Sequence, residues 1–396
     1  MKDEYDVAIV GAGPGGAYAA GELAKKGIDV LCIDKREEIG SPVRCGEGLA
    51  KVHFQAFGIP EKGGHIAQNI YGLSIYSPDG SNTKVKDKEN PKLAGYVLER
   101  KIFDKYLAIR AAREGADLYA KTRCTGVLKG KNGVEGIKCE RFGEEFFIKA
   151  KLTIAADGID SKVARWAGLN TTETLGRMDS GFQYEMAGID IDDHEVLEFH
   201  TGKNICPHGY IWIFPKGKDI ANVGIGVSSA DSKTAKYYLD KWIKDKGYGD
   251  ASIVEVNAGA ISIGGVCKEF TMDGLAVIGD AARQISPTHG GGIAYAMDAG
   301  GMIAEVGANA IQKEDTSKKV LKEYQIIWEK KYAKMFKWHS KLQKMYVGMS
   351  DEDLKKIVTT FDGETLFKLI QGGPAAAKAL IKKSPQLGKL VLKLIT

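Results

Sequence analysis

The stretch "YDVAIVGAGPGGAYAAGELAKKGIDVLCIDKRE", residues 5–37, decides the fold. Tyr5–Val10 reads as a short apolar strand. Gly11, Gly13 and Gly16 follow in the spacing G-x-G-x-x-G, with Gly15 between the last two. Ala17–Lys26 has the composition of a helix, and Ile28–Ile33 reads as a second strand. Asp34 stands at the C-terminal end of that strand, with Lys35 behind it. Strand, glycine turn, helix, strand and acid in this order form a dinucleotide-binding fingerprint. Each glycine has its own reason. Gly11 makes the tight turn, Gly13 lets the backbone approach a pyrophosphate, and Gly16 lets helix and strand pack closely. The free N–H groups at the helix start receive the phosphates, and Asp34 offers its carboxylate to a ribose diol.

A chain of 396 residues exceeds one ordinary domain and predicts two or three. Hydrophobic residues make up 44%, enough for a core without disulfides or a structural metal. The net charge of +5 is mild. No Lys/Arg run interleaves with aromatics in the body of the chain, so nucleic acid is not an expected partner. Cys32, Cys45, Cys124, Cys139, Cys206 and Cys267 are scattered without a C-x-x-C pair. That argues against a zinc site or a redox dithiol, and no metal is expected. The chain enters its first strand at once, and no apolar run approaches the length of a membrane span. The expectation is a cytoplasmic protein that does not cross a membrane.

Two later segments extend the pattern. "LTIAADGIDSKVAR" (152–165) is an apolar strand ending in Asp157-Gly158. "GLAVIGDAARQISPTHGGGIAYAMDAG" (274–300) is an apolar strand ending in Gly279-Asp280. It runs on through Pro287 and Gly290–Gly292 into a helix of small residues. Together with the glycine fingerprint, these motifs resemble the flavoprotein superfamily that contains para-hydroxybenzoate hydroxylase. The resemblance implies an α/β fold: a Rossmann-like FAD-binding domain of glutathione reductase type, with an antiparallel-sheet substrate domain and a C-terminal helical region. It implies FAD as cofactor, with Asp280 on the ribitol and Gly290, Gly292 and Ile293 near the flavin pyrimidine ring. It adds Asp157 and Gly158 to the cofactor-binding set, and places against FAD the Arg100 that opens a helix in "YVLERKIFDKYLAIRAAREGA" (96–116). Cys124, on an expected strand "ADLYAKTRCTGVLKG" (116–130), passes its backbone to the adenine. No second complete βαβ fingerprint exists, because "NVGIGVSS" (222–229) reads as strand alone. NAD(P)H therefore has no domain of its own, and the external reductant is either NAD(P)H or a ferredoxin-like protein.

Residues 207–217, "PHGYIWIFPKG", pose a separate question. Tyr210, Trp212 and Phe214 alternate with Ile211 and Ile213, the period of a strand, so the three rings share one face. Pro215 and the Lys-Gly behind it end the strand. The rings face either a core or a large apolar ligand. The loop "RCGEGL" (44–49), with Arg44, Cys45, Gly46 and Gly48, is expected near the flavin. The pattern Y-x-W-x-F-P followed by G-x-G, together with this loop, resembles the geranylgeranyl reductase family, especially its archaeal branch. The resemblance covers about residues 1–310.

It implies an FAD-dependent reductase that saturates geranylgeranyl chains of ether lipids. The substrate would be a glycerophospholipid bearing two such chains, and the three rings would line a tunnel for the prenyl chain. Reducing an isolated double bond needs a hydride and a proton. Cys45 is the first candidate donor, with Tyr210 and a bound water as alternatives, and His208 and His289 are read as structural. Two rivals stand beside this reading. One is a flavin-dependent monooxygenase or halogenase of the same superfamily. The other is a non-catalytic prenyl-binding carrier, against which the intact flavin motifs argue.

The FAD-binding domain is expected at 1–70, 96–175 and 273–315, and a strand-rich substrate domain at 71–95 and 176–272. Helices are expected over 316–396. "SKKVLKEYQIIWEKKYAKMFKWHSKLQKMY" (317–346) reads as one long amphipathic helix. The tail "GPAAAKALIKKSPQLGKLVLKLIT" (373–396) has five lysines and no acid. It suits an anionic membrane surface on the inner face of the cell membrane, or equally a solvated helix packed on the body.

Overall fold

The apolar run after Glu4 forms the strand Glu4–Val10, central in an eight-stranded sheet of the computed structural model, which describes residues 1–371. Val30–Ile33 and Glu144–Ala155 flank it in parallel. Asp117–Tyr119 extends the sheet on one side, and Leu275–Val277 with Thr271–Met272 on the other. Strands covered on both faces need unbroken apolar runs. Val7, Ala8, Ile9 and the whole of Val30–Ile33 are accordingly buried. The second strand starts at Val30 rather than Ile28, because the Ile28 N–H still bonds back to the Leu23 carbonyl at the helix end.

The stretch 116–130 is two strands, not the single one expected. Lys121, at φ 51°, turns the chain between Asp117–Tyr119 and Thr122–Gly130. The second of these pairs antiparallel with Gly133–Arg141, which pairs in turn with the first half of Glu144–Ala155. The helices Pro14–Ala24 and Ile293–Gln312 cross on the sheet at backbone contact. A Cβ at Gly300 would stand 2.6 Å from the Gly15 carbonyl oxygen, so the small-residue composition of both helices is a packing requirement.

The second sheet has seven strands, in the order Ser252–Ser262, Met178–Ala187, Ile220–Ser228, Tyr210–Pro215, Val196–His200, Gly72–Tyr76, Asn82–Lys86. All neighbours are antiparallel except Val196–His200 with Gly72–Tyr76. The segment "GAISIGGV" (259–266) contains only the end of its strand. That strand begins at Ser252 and stops at Ser262, because pairing with Met178–Ala187 runs from Ser252 to Ser262. The helix Ala235–Lys246, which the sequence patterns did not flag, covers one face. Its Leu239 and Trp242 pack on Ile211, Ile213, Val223 and Ile225. The isoleucines of the aromatic strand are thus core, and its rings face the other way.

A three-stranded sheet of Gly48–Ala50, Gly95–Leu98 and Ile66–Ile70 stands apart from these two. The helix Lys318–Gly348 spans 31 residues and buries Tyr324 and Trp328 against Phe270. Asp351–Thr360 follows, its start closed by reciprocal bonds between Ser350 and Asp353. The basic tail at 373–396 lies outside the described residues.

Candidate active site

The first glycine motif separates into two kinds of position. A Cβ at Gly11, where φ is 106°, would stand 2.2 Å from the Ala156 carbonyl oxygen, and one at Gly16 would stand 1.9 Å from that of Gly11. The protein itself forbids side chains there. A Cβ at Gly13 would meet no atom within 4 Å. Gly13 also caps the helix Pro14–Ala24, whose first turn has no side-chain cap and no acid. Its N–H groups stay available to an anion.

Asp34 is buried and differs from expectation. It accepts bonds from the Ala12 N–H at 2.9 Å and the Arg36 N–H at 2.9 Å. The Arg36 guanidinium forks it at 2.9 and 2.8 Å. Burial pushes this carboxyl up, but Arg36 more than offsets it, and the group sits below its ordinary value. Four bonds use the roughly four lone-pair sites of a carboxylate. A ribose diol would have to displace Arg36. Lys35 turns away to Asp160 at 2.8 Å. Cys124 donates to the Gly126 carbonyl at 3.3 Å, its thiol pushed up to about 12 by burial.

The other two motifs leave polar atoms unpaired. Asp157 accepts from the Val163 N–H through Oδ2 at 3.0 Å, whereas its buried Oδ1 has no partner. Gly158, at φ 71°, turns the chain immediately after it. The Asp280 carboxylate accepts no hydrogen bond from any described residue, although its backbone carbonyl takes the Arg283 N–H at 3.0 Å. Burial raises its carboxyl, and the Arg100 charge pulls it part of the way back. Gly292 starts the helix Ile293–Gln312 with no side-chain cap, and a Cβ there would lie 3.0 Å from Asp280 Oδ1. Two open helix starts, an open Gly13 and two carboxylates with free acceptors fit a dinucleotide carrying a pyrophosphate and a polyol.

Arg100 joins this region to the "RCGEGL" loop. Its guanidinium forks Asp104 at 2.7 and 2.9 Å, and its backbone N–H donates to Glu47 at 2.8 Å. Burial raises the Cys45 thiol, which the nearby Arg100 charge only partly offsets. Cys45 is therefore a neutral thiol at neutral pH, its sulfur accepting the Glu47 N–H at 3.2 Å. Tyr210 donates to the His289 carbonyl at 2.7 Å, and burial raises its phenol further. His289 is exposed, yet its imidazole is pushed down to about 4 by the surrounding protein and by His339.

Three rings do share a face. Tyr210 and Trp212 have centroids 5.9 Å apart, Trp212 and Phe214 6.4 Å. Phe199 from the next strand touches both Tyr210 and Phe214 at 5.6 Å. Trp212 is 8% exposed and lies on Gly224, where a Cβ would stand 2.2 Å from the indole. Tyr210 and Phe214 keep more surface. Gly46 and Gly48 face the Phe214 ring, at 3.0 and 3.1 Å from an added Cβ, and so accommodate the aromatic strand. The exposed Arg44 runs its stem past Gly259.

The residues that hold this loop carry no motif. Glu47, at φ 73° and 2% exposed, meets Lys216 at 3.1 Å and the Asn222 amide at 2.7 Å. Lys216 also pairs with Glu99 and Glu185, each at 2.9 Å. Gln183 donates to the Cys45 carbonyl at 3.1 Å and accepts from the Trp212 indole at 2.9 Å. Only the period of two, which puts Gln183 and Glu185 on one face, could have hinted at them.

The description "geranylgeranyl reductase catalytic domain" matches residues 177–261, the part of the chain that contains the aromatic wall. An NAD(P)-binding Rossmann-like domain matches residues 9–53. Among curated proteins, the digeranylgeranylglycerophospholipid reductase of Methanothrix thermoacetophila is 39% identical over 383 residues, 96% of this chain and 97% of its own. Among solved structures, a geranylgeranyl bacteriochlorophyll reductase-like protein from Thermoplasma acidophilum superposes with a TM-score of 0.91 at 36% identity. That match covers 99% of this chain and 100% of the other. The myxobacterial chondrochloren halogenase superposes at 0.72 with 17% identity, covering 100% of this chain and 97% of its own, a likeness of fold alone.

Proposed function

Because the chain belongs to the digeranylgeranylglycerophospholipid reductase family, we propose that it saturates the double bonds of geranylgeranyl chains on a glycerophospholipid. The observation that carries this reading is the juxtaposition of an apolar aromatic wall with an open dinucleotide cradle. The cofactor it requires is FAD, which supplies hydride when bound and reduced. Gly11, Gly13, Gly15 and Gly16 with the start of Pro14–Ala24 would take the pyrophosphate, and Asp157 and Asp280 would fill their free acceptors. The turn Gly290–Gly292 with Ile293 would border the ring system.

The chain's own residues do the rest. An isoprenoid offers nothing to hydrogen-bond, so shape, dispersion and ring faces must position it. Tyr210, Trp212, Phe214 and Phe199 supply those faces, and Gln183 fixes the indole. Their surfaces exclude water and favour positive charge that develops on an alkene carbon. The Lys216–Glu47 pair, Asn222 and Gln183 hold Cys45 against Arg100.

The cofactor-binding domain comprises 1–70, 96–175 and 273–315, the substrate domain 71–95 and 176–272, and a helical region begins at 316. The two electrons for each bond come from outside, from NAD(P)H or a ferredoxin-like protein. The lipid brings the protein to the cytoplasmic face of an anionic membrane. Exposed Lys319, Lys322, Lys330, Lys334, Lys337 and Lys344 along Lys318–Gly348 suit that surface. No helix among the described residues is long and apolar enough to cross a membrane.

The test is anaerobic reduction with dithionite, addition of a di-geranylgeranyl glycerophosphate lipid, and mass spectrometry. The expected product gains one H₂ per saturated bond. An unchanged lipid mass beside bound, reduced FAD would refute the proposal.

A further inference from the structure

Saturating an isolated double bond places a hydride on one carbon and a proton on the other. The two acids named by motif are weak ones here. Burial holds both the Cys45 thiol and the Tyr210 phenol above their ordinary values. Neither readily gives a proton to an alkene.

A carboxyl group without a lysine partner shares their side of the sheet, where Glu185 and Glu255 are paired with Lys216 and Lys101. Asp179 pairs across strands with Ser228 and Ile261, and Tyr210 pairs with Gly226. Gly226 and Ser228 are two apart on one strand, so Asp179 and Tyr210 project to the same face. Trp212, opposite Gly224, is on that face as well. Between the two side chains the strands carry Gly226 and, opposite it, Gly181. A Cβ at Gly226 would meet nothing nearer than the Trp212 ring at 4.0 Å. Space is left above Gly226 beside the Tyr210 phenol, whereas a Cβ at Gly181 would stand 3.3 Å from the Ile261 side chain, so Ile261 borders that space on the Asp179 side.

Asp179 Oδ1 is closed off from solvent and has no hydrogen-bond partner. An ionised oxygen there is costly, whereas a protonated one is not. The titratable groups that act on each other at this point are Asp179, Tyr210, Cys45 and, from the helix Lys318–Gly348, Tyr346. Tyr346 donates its own hydroxyl to the Gly209 carbonyl. The residues opposite Asp179 on the neighbouring strands, Ser228 and Ile261, carry no charge. No cation offsets the burial, which alone pushes the Asp179 carboxyl up to about 7.

We propose that Asp179 is the acid that protonates the alkene, acting across the open space above Gly226, with Tyr210 on the far side of the chain. The inference rests on the reductase reading above and names the proton source that reading leaves open. In the step, the alkene π pair forms a C–H bond with the Asp179 proton. The hydride supplied by the reduced cofactor forms the second C–H bond. Asp179 is left as carboxylate and the cofactor is oxidised. The carboxylate regains a proton from solvent, and the external two-electron donor restores the cofactor. The donor form exists below about pH 7 and is lost as pH rises through it.

The test uses the full chain with bound FAD, as wild type, Asp179→Asn and Asp179→Glu. Infrared difference titration, without lipid, should show a protonated-carboxyl band that vanishes as pH rises through about 7 and is missing in Asp179→Asn. Anaerobic single-turnover mixing of dithionite-reduced protein with the di-geranylgeranyl lipid should then be slower in Asp179→Asn by about 100-fold or more. The decline of rate with rising pH should disappear in that variant, whereas Asp179→Glu should keep both the decline and part of the rate. The visible spectrum of bound FAD reports folding of each variant. Absence of the band overturns the proposal, and so does an Asp179→Asn variant with the wild-type rate and pH decline. If Asp179→Asn does not hold FAD, an Asp179→Glu protein that has lost the pH decline overturns it. A wild type that does not react with the lipid at all overturns the reductase reading and this proposal together. Reaction of wild type beside an unimpaired Asp179→Asn overturns this proposal alone.

Discussion

Replacing Lys216 by Met keeps the length of the side chain and removes a cation that meets three carboxylates. Lys216 is 4% exposed in its side chain and Glu47 3%, whereas Glu99 and Glu185 keep 35% and 22%. Solvent screens the last two, so losing their partner costs little. Glu47 has no such recourse. Stripping one partner from a buried ion pair costs about 3–5 kcal/mol, chiefly the penalty of the charge left behind. At about 2.1 cal/mol/K per residue, a chain of 396 residues melts with roughly 0.8 kcal/mol/K of entropy. The expected fall in Tm is therefore about 4–6 °C at neutral pH.

The sign of the pH dependence follows from Glu47. Burial raises its carboxyl, and Lys216, Asn222 and the Arg100 N–H only partly offset that. The folded state therefore binds this proton more tightly than the unfolded chain does. Stability from such a group falls as pH rises from the unfolded pKa to the folded one. Losing Lys216 widens that gap. The deficit of Lys216→Met should shrink on acidification, as Glu47 takes up a proton, and be complete above the folded pKa. Scanning calorimetry of wild type, Lys216→Met and Lys216→Met/Glu47→Gln across pH measures this. The double variant should recover most of the loss. A Lys216→Met deficit under 1 °C, or one that does not vary with pH, would refute the buried-pair reasoning.

Gly13→Ala and Gly16→Ala should part company. The first meets no protein atom, so its apo form should melt within about 0.5 kcal/mol of wild type; its FAD affinity should fall roughly tenfold or more, equivalent to 1.4 kcal/mol. The second puts a Cβ 1.9 Å from the Gly11 carbonyl oxygen and should yield no folded protein, as read by circular dichroism. Iodoacetamide should alkylate Cys45 more slowly than free cysteine at neutral pH, since burial keeps the thiol protonated. Mass spectrometry of the modified peptide checks this, and a rate matching free cysteine would contradict it. Charge reversal of Lys330, Lys334 and Lys337 to Glu should weaken cosedimentation with anionic vesicles by about 1 kcal/mol or more per residue. The same variant should keep its rate on detergent-dispersed lipid.

The residues legible in sequence are those whose constraint is local. Gly11 and Gly16 answer to backbone atoms of one strand–turn–helix unit and its parallel neighbour, so their spacing is written along the chain. The alternation in Tyr210–Pro215 likewise follows from the pleat, and it separated two isoleucines from three aromatic rings before any neighbour was known. What alternation cannot supply is which strand lies alongside, and in what register. Asn222 and Gly224 look like ordinary strand residues until pairing puts them opposite Phe214 and Trp212. Gly224 is then the seat of an indole, and Asn222 the clamp on Glu47. Lys216 reads as the end of a strand, yet it closes a cluster with residues at 47, 99 and 185. Asp34 shows the reverse case. Its place at a strand end was clear from sequence, but the side chain two residues on decides whether its oxygens are free. Sequence alone thus determined the dinucleotide fold and the two faces of the aromatic strand, because both are set by residues within a few positions of one another. Only the tertiary structure decided what those faces meet and where buried charge is held. Both depend on long-range strand register and burial, which no local pattern encodes.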